Sequence, residues 1–377
     1  MKVDLLIKNG RVIDEYSKID ESRDIAVKDG LIIDAEEATE AKQTIDATGC
    51  IVTPGLIDYH GHTFIKSSEL SVYPEAQCFP TGVTTIVDAG TAGCDNIESF
   101  LTLASYSRVR QYAYLHVNPG GIPTVAYPEQ HDPKCFKDAF TVEMLKKHSD
   151  VLLGLKVRES KKVVGSLGLE PLKKALELSA KAGKNVCCHT TDGPAPSNEL
   201  VQLFRKGDVY AHVFHGRGFT ILGEDGHVMP EFFKAKQRGV IFDAANGKSH
   251  FAFRVARAAI ADGFLPDIIS TDVTTNNSFI PGLAFSLPHT MSRYLTLGLS
   301  INEIIACVTA NPAKALHQEK ELGSLACGTC ADIAIHRIIK KDTLFTDSLG
   351  EDVIGTQLFK TELTIRDGKV VYRQIDF

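Results

Sequence analysis

Eight apolar runs rich in β-branched residues recur through the middle of this chain, at 56–57, 84–87, 112–117, 152–157, 185–188, 209–212, 240–242 and 268–270. Most are separated by helix-like stretches. Parallel strands need a long crossover between them, and a spacing of roughly thirty residues leaves room for one helix each time. Repeated eight times, the pattern predicts a (β/α)8 TIM barrel, an α/β fold. Helices are predicted over 136–147 and 169–182, the second opening with Glu-Pro and closing at Ala182-Gly183. A further helical stretch, 301–316, contains Asn311-Pro312, where a proline must stop and restart it. The rival, an open doubly wound sheet, lacks its dinucleotide signal, because no Gly-x-Gly-x-x-Gly follows a strand.

The two ends of the chain share a different style. Asn9-Gly10, Asp29-Gly30 and Asp367-Gly368 each sit between short apolar runs, the pattern of a tight β-hairpin. One small β-sandwich domain built from 1–50 and 321–377 accounts for both ends. The barrel, 51–320, is then one continuous insertion.

Charge and cysteine usage narrow the partners. The chain has 377 residues and a formal charge of -6, without long blocks of one sign. Nucleic acid and anionic membrane are therefore not expected as partners. The apolar start of the chain is too short for a signal peptide, and no run approaches the ~18 residues that cross a bilayer. The nine cysteines are an odd number, and Cys187, Cys188 and Cys307 lie inside apolar segments. Reduced thiols and a cytoplasmic location are the expectation. Cys327-x-x-Cys330 has no second pair and falls in a turn of the β-domain, so it predicts neither a zinc ribbon nor a redox site.

In such a barrel, functional groups gather at the C-terminal ends of the strands. The first strand runs into Asp58-Tyr59-His60-Gly61-His62. Residues two apart on a strand share a side, so His60 and His62 aim at one point, with Asp58 placed to buttress a ligand. Lys156 lies in the fourth strand, His189 ends the fifth, His212 the sixth, and Asp272 the eighth. Each alone has a bland reading. A lone lysine snorkels, a lone histidine is a core residue with a hydrogen bond, and Asp272 could cap a helix. Their joint placement at one mouth favours a metal site. A buried lysine is disfavoured as an ammonium, and its neutral amine can add CO2 to become a carbamate, a carboxylate on a long arm. That arm can bridge two divalent cations, with His60, His62 and Asp272 on one and His189 and His212 on the other. Imidazole and carboxylate ligands suit zinc best. Two such ions clamp a hydroxide and polarise a carbonyl.

At these residues the chain closely resembles the amidohydrolase superfamily, in the binuclear carboxylated-lysine branch that includes dihydroorotases, hydantoinases, D-aminoacylases and related deacetylases. The resemblance covers nearly the whole chain. It rests on Pro54-Gly55-Leu56-Ile57-Asp58-Tyr59-His60-Gly61-His62 and Thr81-Gly82-Val83-Thr84-Thr85. It also rests on Thr309-Ala310-Asn311-Pro312-Ala313 and on Gly323-Ser324-Leu325 leading to Gly328-Thr329-Cys330-Ala331-Asp332. It implies a (β/α)8 barrel with a flanking β-sandwich, the ligand set above, and Asp272 as proton shuttle. It implies a metal-dependent hydrolase cleaving an amide or ester of a small acyl compound or a cyclic amide, and usually a homo-oligomer. A binuclear deaminase of an aminopurine such as adenine is the alternative. A scaffold protein without catalysis is disfavoured, because all six ligand positions are filled. Arg158 shares the parity of Lys156 and would read a substrate carboxylate, unless Glu159 or Asp192 holds it in place. His215, Asn118 beside Gly120-Gly121, and Asn246 with Lys248 and His250 are further pocket candidates.

Overall fold

The structure, a computed structural model, describes residues 1–127, 129–278 and 280–377. Seven parallel strands follow one another in chain order: Leu56–Gly61, Val83–Asp88, Arg110–His116, Leu152–Arg158, Asn185–His189, Val209–Ala211 and Ile241–Asp243. The eighth expected run does not form a ladder. It closes the ring through single bridges, Asp243 to Ile268 on one side and Gly61 to Val273 on the other. The reason is local. The Thr271 amide is taken by the Asp58 side chain at 3.0 Å, and Asp272 turns the chain left-handed at φ 51. Both interrupt strand pairing. Asp58 therefore secures the closing segment and does not buttress a histidine.

The expected helices form as Asp138–Lys147 and Glu170–Lys181. The stretch at 301–316 divides into Ile301–Val308 and Ala310–Ala315. Pro312 in an unbroken helix would clash with the carbonyl four residues back, so the chain breaks at Thr309. The helices cover the outside of the sheet through residues such as Leu155, Val157, Leu172 and Phe232, all buried.

The terminal segments make two sheets. One orders Leu31–Ile33, Ile25–Lys28, Lys2–Lys8 and Glu40–Asp46; the other orders Lys369–Arg373, Asp352–Arg366, Ile333–Thr346, Ile51–Pro54, Arg11–Asp14 and Ile19–Ser22. Leu5, Ile7, Val27, Val52, Ile333 and Leu363 pack between them, so both chain ends share one core. Asp29-Gly30 and Asp367-Gly368 close antiparallel pairs with positive φ at both turn residues, as a two-residue hairpin of matching twist requires. Asn9-Gly10 does not. Only Asn9 has positive φ there, and the strands on either side enter different sheets. Gly10 lies so close to Val52 that a Cβ would sit 2.5 Å from its methyl group, and the turn serves as a crossing point.

Glu159, at the end of the fourth barrel strand, is fully buried with neither carboxyl oxygen hydrogen-bonded. Burial pushes it up to about 8, against a smaller pull from the Leu172 backbone. The folded protein thus keeps a proton that the unfolded chain, at the ordinary 4.5, releases. This contribution to stability is present below pH 4.5 and is lost as pH rises toward 8. Glu159→Gln should flatten the fall in melting temperature between pH 5 and pH 8 by on the order of a few degrees. An unchanged slope would show that Glu159 does not carry the linkage.

Candidate metal centre

The barrel mouth gathers His60, His62, Lys156, His189, His212 and Asp272, and all six are buried. His60, His62 and Asp272 form one group whose ligand atoms lie within 4.8 Å of one another. His189, His212 and His250 form a second. The His189 and His212 rings are 4.4 Å apart, and His60 and His212 are 5.1 Å apart. Lys156 Nζ lies 3.2 Å from His60 Nε2 and 3.6 Å from Cys187 Sγ. Asp272 faces both. One carboxylate oxygen is 3.7 Å from His60 Nε2 and 3.5 Å from His62 Nε2, while the other is 3.8 Å from His250 Nε2.

Three imidazoles are oriented from behind. His60 Nδ1 donates to Asp243 at 3.0 Å, and His212 Nδ1 donates to the Ala245 carbonyl at 2.7 Å. His62 Nδ1 lies 2.7 Å from the Thr91 hydroxyl, which itself donates to Asp88 and so accepts from the ring. Each Nδ1 is occupied, so each Nε2 turns a lone pair into the cavity. Burial, followed by the charge of Lys156 and the neighbouring rings, holds His60 well below its ordinary pKa. Burial does the same for His189 and His212. Neutral imidazoles with inward lone pairs are the form that binds a divalent cation, so the donor set fits a metal pair.

Close packing sets this geometry. Gly90 lies under the Lys156 stem, where a Cβ would come within 2.3 Å of the lysine Cβ. His212 and Asp272 have φ of 67 and 51, strained values for residues other than glycine. The hydrogen bond from the Asp272 amide to the His60 carbonyl, 2.7 Å, helps hold the second of them.

The other expected site residues divide. Arg158 lines the cavity with the ligand residues, and its guanidinium is held by Glu129, rather than by Glu159 or Asp192. His116, Glu129 and His131 form a third close group, in which one Glu129 oxygen is taken by Arg158 and the other has no partner. His215, Asn118 and Asn246 do not line the cavity. His215 is buried with both nitrogens unpaired, and burial lowers it to about 4. Asn118 donates to the Gly121 carbonyl at 2.6 Å and so folds its own loop. Asn246 is used up by Ser270, Arg293 and Tyr294. Cys327 and Cys330 are free thiols in the β-domain, and they join no metal-binding group among the described residues. Asp243 and Thr91 were not singled out in the sequence. Asp243 follows the seventh apolar run directly, so the strand-end rule that located the ligands pointed to it as well.

The cavity measures about 360 Å3. Larger hollows of about 600 and 700 Å3 lie elsewhere and contain none of these ligands.

Comparison with known proteins agrees with this geometry. The chain belongs to the amidohydrolase family, whose model matches residues 51–371. It is 31% identical over 375 residues to a deacetylase of Enterococcus faecalis, covering 98% of this chain and 99% of that one. It is 32% identical over 335 residues to a deacetylase of Agrobacterium fabrum, covering 88% and 81%. Among solved structures, an adenine deaminase superposes with a TM-score of 0.90 at 30% identity, covering 99% of this chain and 100% of that one. A dihydroorotase does so with 0.85 at 28%, covering 98% of each. The protein is a hydrolase acting on C–N bonds, with a (β/α)8 barrel and a β-sandwich from both termini.

Asp243→Asn should weaken divalent-metal affinity by about 10- to 100-fold, because an amide cannot hold the His60 tautomer as the carboxylate does. Competition against a chelator measures this, and unchanged affinity would remove Asp243 from the centre.

Proposed function

We propose that the protein is a binuclear metal-dependent hydrolase that cleaves the amide bond of a small acyl compound bearing a carboxylate, with an ester as the nearest variant. One observation carries the reading. Lys156 is buried beside His60 in the cavity that both histidine groups line, and no carboxylate lies within ion-pair distance of it among the described residues. Carbamylation would supply the missing acid: the amine attacks CO2, one proton leaves, and a carboxylate results where a bridging ligand is needed.

His60, His62 and Asp272 would hold one cation, His189 and His212 the other, and the Lys156 carbamate both. Zinc matches the donor set best. Bound there, the pair would polarise the scissile carbonyl and activate water at neutral pH. The chain's own groups do the rest. Asp272 takes the proton of the attacking water and returns it to the leaving nitrogen. Its second oxygen faces His250 Nε2 at 3.8 Å. Arg158, braced by Glu129, receives the substrate carboxylate through the side of its guanidinium that faces the cavity.

The likeness to an adenine deaminase keeps a second reading in view, in which the same centre displaces ammonia from an aminopurine. Purified protein should hold about two divalent ions per chain. It should release acid from acetylated amino or hydroxy acids and little ammonia from adenine. Ammonia release without acid release would move the assignment to the deaminase. Lys156→Ala should lose metal and activity together, with partial return on adding a short carboxylic acid. Asp272→Asn should fold normally and lose about 100-fold or more in kcat. Wild-type turnover in that variant would end its role as proton carrier.

A further inference from the structure

The wall of the cavity is sharply divided. Leu70, Ile122 and Val125, from the loops after the first and third strands, make an apolar side. Lys162, Arg217 and Lys248, from the loops after the fourth, sixth and seventh strands, make a cationic side. All three cations are exposed at the rim.

Cations without an ion pair also occur elsewhere on the surface, and what sets these three apart is that they line one cavity. Lys2, Lys42, Lys137 and Lys147 each pair with a carboxylate on the surface. Beside the cavity, Arg158 is answered by Glu129 and Lys161 by Asp192 at 3.7 Å. Lys162, Arg217 and Lys248 form no ion pair among the described residues. The only carboxylate in the lining is Asp272, which faces the histidines at the floor. A chain with formal charge -6 thus turns uncompensated positive charge to its reaction chamber. Such a mouth concentrates anions, and a ligand that spans several of these cations gains more than one that meets a single charge.

We propose that the physiological substrate is a polyanion, with a second oxyanionic group seated between Lys162, Arg217 and Lys248, in addition to the carboxylate assigned to Arg158. The group is a phosphate monoester or a second carboxylate, which share the recognising chemistry. The cavity of about 360 Å3 limits the whole to a small monomeric compound, its acyl end at the histidines and its uncharged part on Leu70, Ile122 and Val125. This subsite rests on the hydrolase reading above, and its test separates the two.

The first arm compares kcat/KM for N-acetylalanine, N-acetylglutamate and N-acetyl-O-phosphoserine in the metal-loaded enzyme. One or both polyanions should exceed N-acetylalanine by about tenfold or more, chiefly through KM, with the advantage shrinking as salt is raised. Whichever of the two leads identifies the group. In the double variant Arg217→Gln/Lys248→Gln that ratio should fall toward one, and Arg217→Lys should retain most of it. The second arm needs no turnover. Calorimetry with glycolate, glutarate and phosphoglycolate should show a polyanion binding about tenfold more tightly than glycolate, again lost in the double variant. No acid release from any substrate, with this binding preference intact, would overturn the hydrolase reading and leave the anion subsite standing. Equal affinities for all three, or a preference that survives in the double variant, would overturn the subsite.

Discussion

A buried lysine set against imidazoles, with no carboxylate within ion-pair distance among the described residues, is the constraint that orders the rest of this molecule. Lys156 Nζ lies 3.2 Å from His60 Nε2, and its stem rests on Gly90. In water such a group is charged and solvated; here it has lost water without gaining a counter-ion. The carbamate between two cations proposed above would meet that requirement. The outward hydrogen bonds of His60, His62 and His212 point to the same arrangement, since they spend one ring nitrogen to free the other.

The barrel supplies this arrangement at a local cost. The eighth segment gives up regular pairing so that Asp272 can bend toward the histidines, and Asp58 binds the backbone thus released. His212 and Asp272 stay in left-handed conformations because the neighbouring strands hold them there. Strained residues cost about 1–3 kcal/mol each, and they cluster where geometry has to be exact for chemistry. The β-sandwich carries none of the ligands. It joins both chain ends in one core.

The separation of charge around the mouth adds a layer the metal ligands do not explain. Floor, apolar wall and cationic wall come from different loops, which can vary without disturbing the strands. Relatives described as deacetylases and a neighbour described as an adenine deaminase share the fold. The loops are where this chain states its own preference.

Periodicity and strand-end position were enough to read the barrel, the shared β-domain and the six residues at the mouth, because each depends on local pattern. His60 and His62 are two apart at the end of one strand, Lys156 lies within its apolar run, and His189, His212 and Asp272 stand at the ends of theirs. The Asn9-Gly10 pair misled because a turn motif records local dihedral freedom and not which sheet the next strand will join. Asn118, Asn246 and His215 were placed near the mouth by loop position, yet their side chains turn elsewhere to satisfy backbone groups or fill the core. The sequence by itself determined most of the elements that form and which candidate ligand types stand at their ends. Only the tertiary structure decided that Asp243 steadies His60, that Glu129 holds Arg158, and that three unpaired cations share one wall. Those relations join loops far apart along the chain, and their partners are chosen by packing in three dimensions rather than by spacing in one.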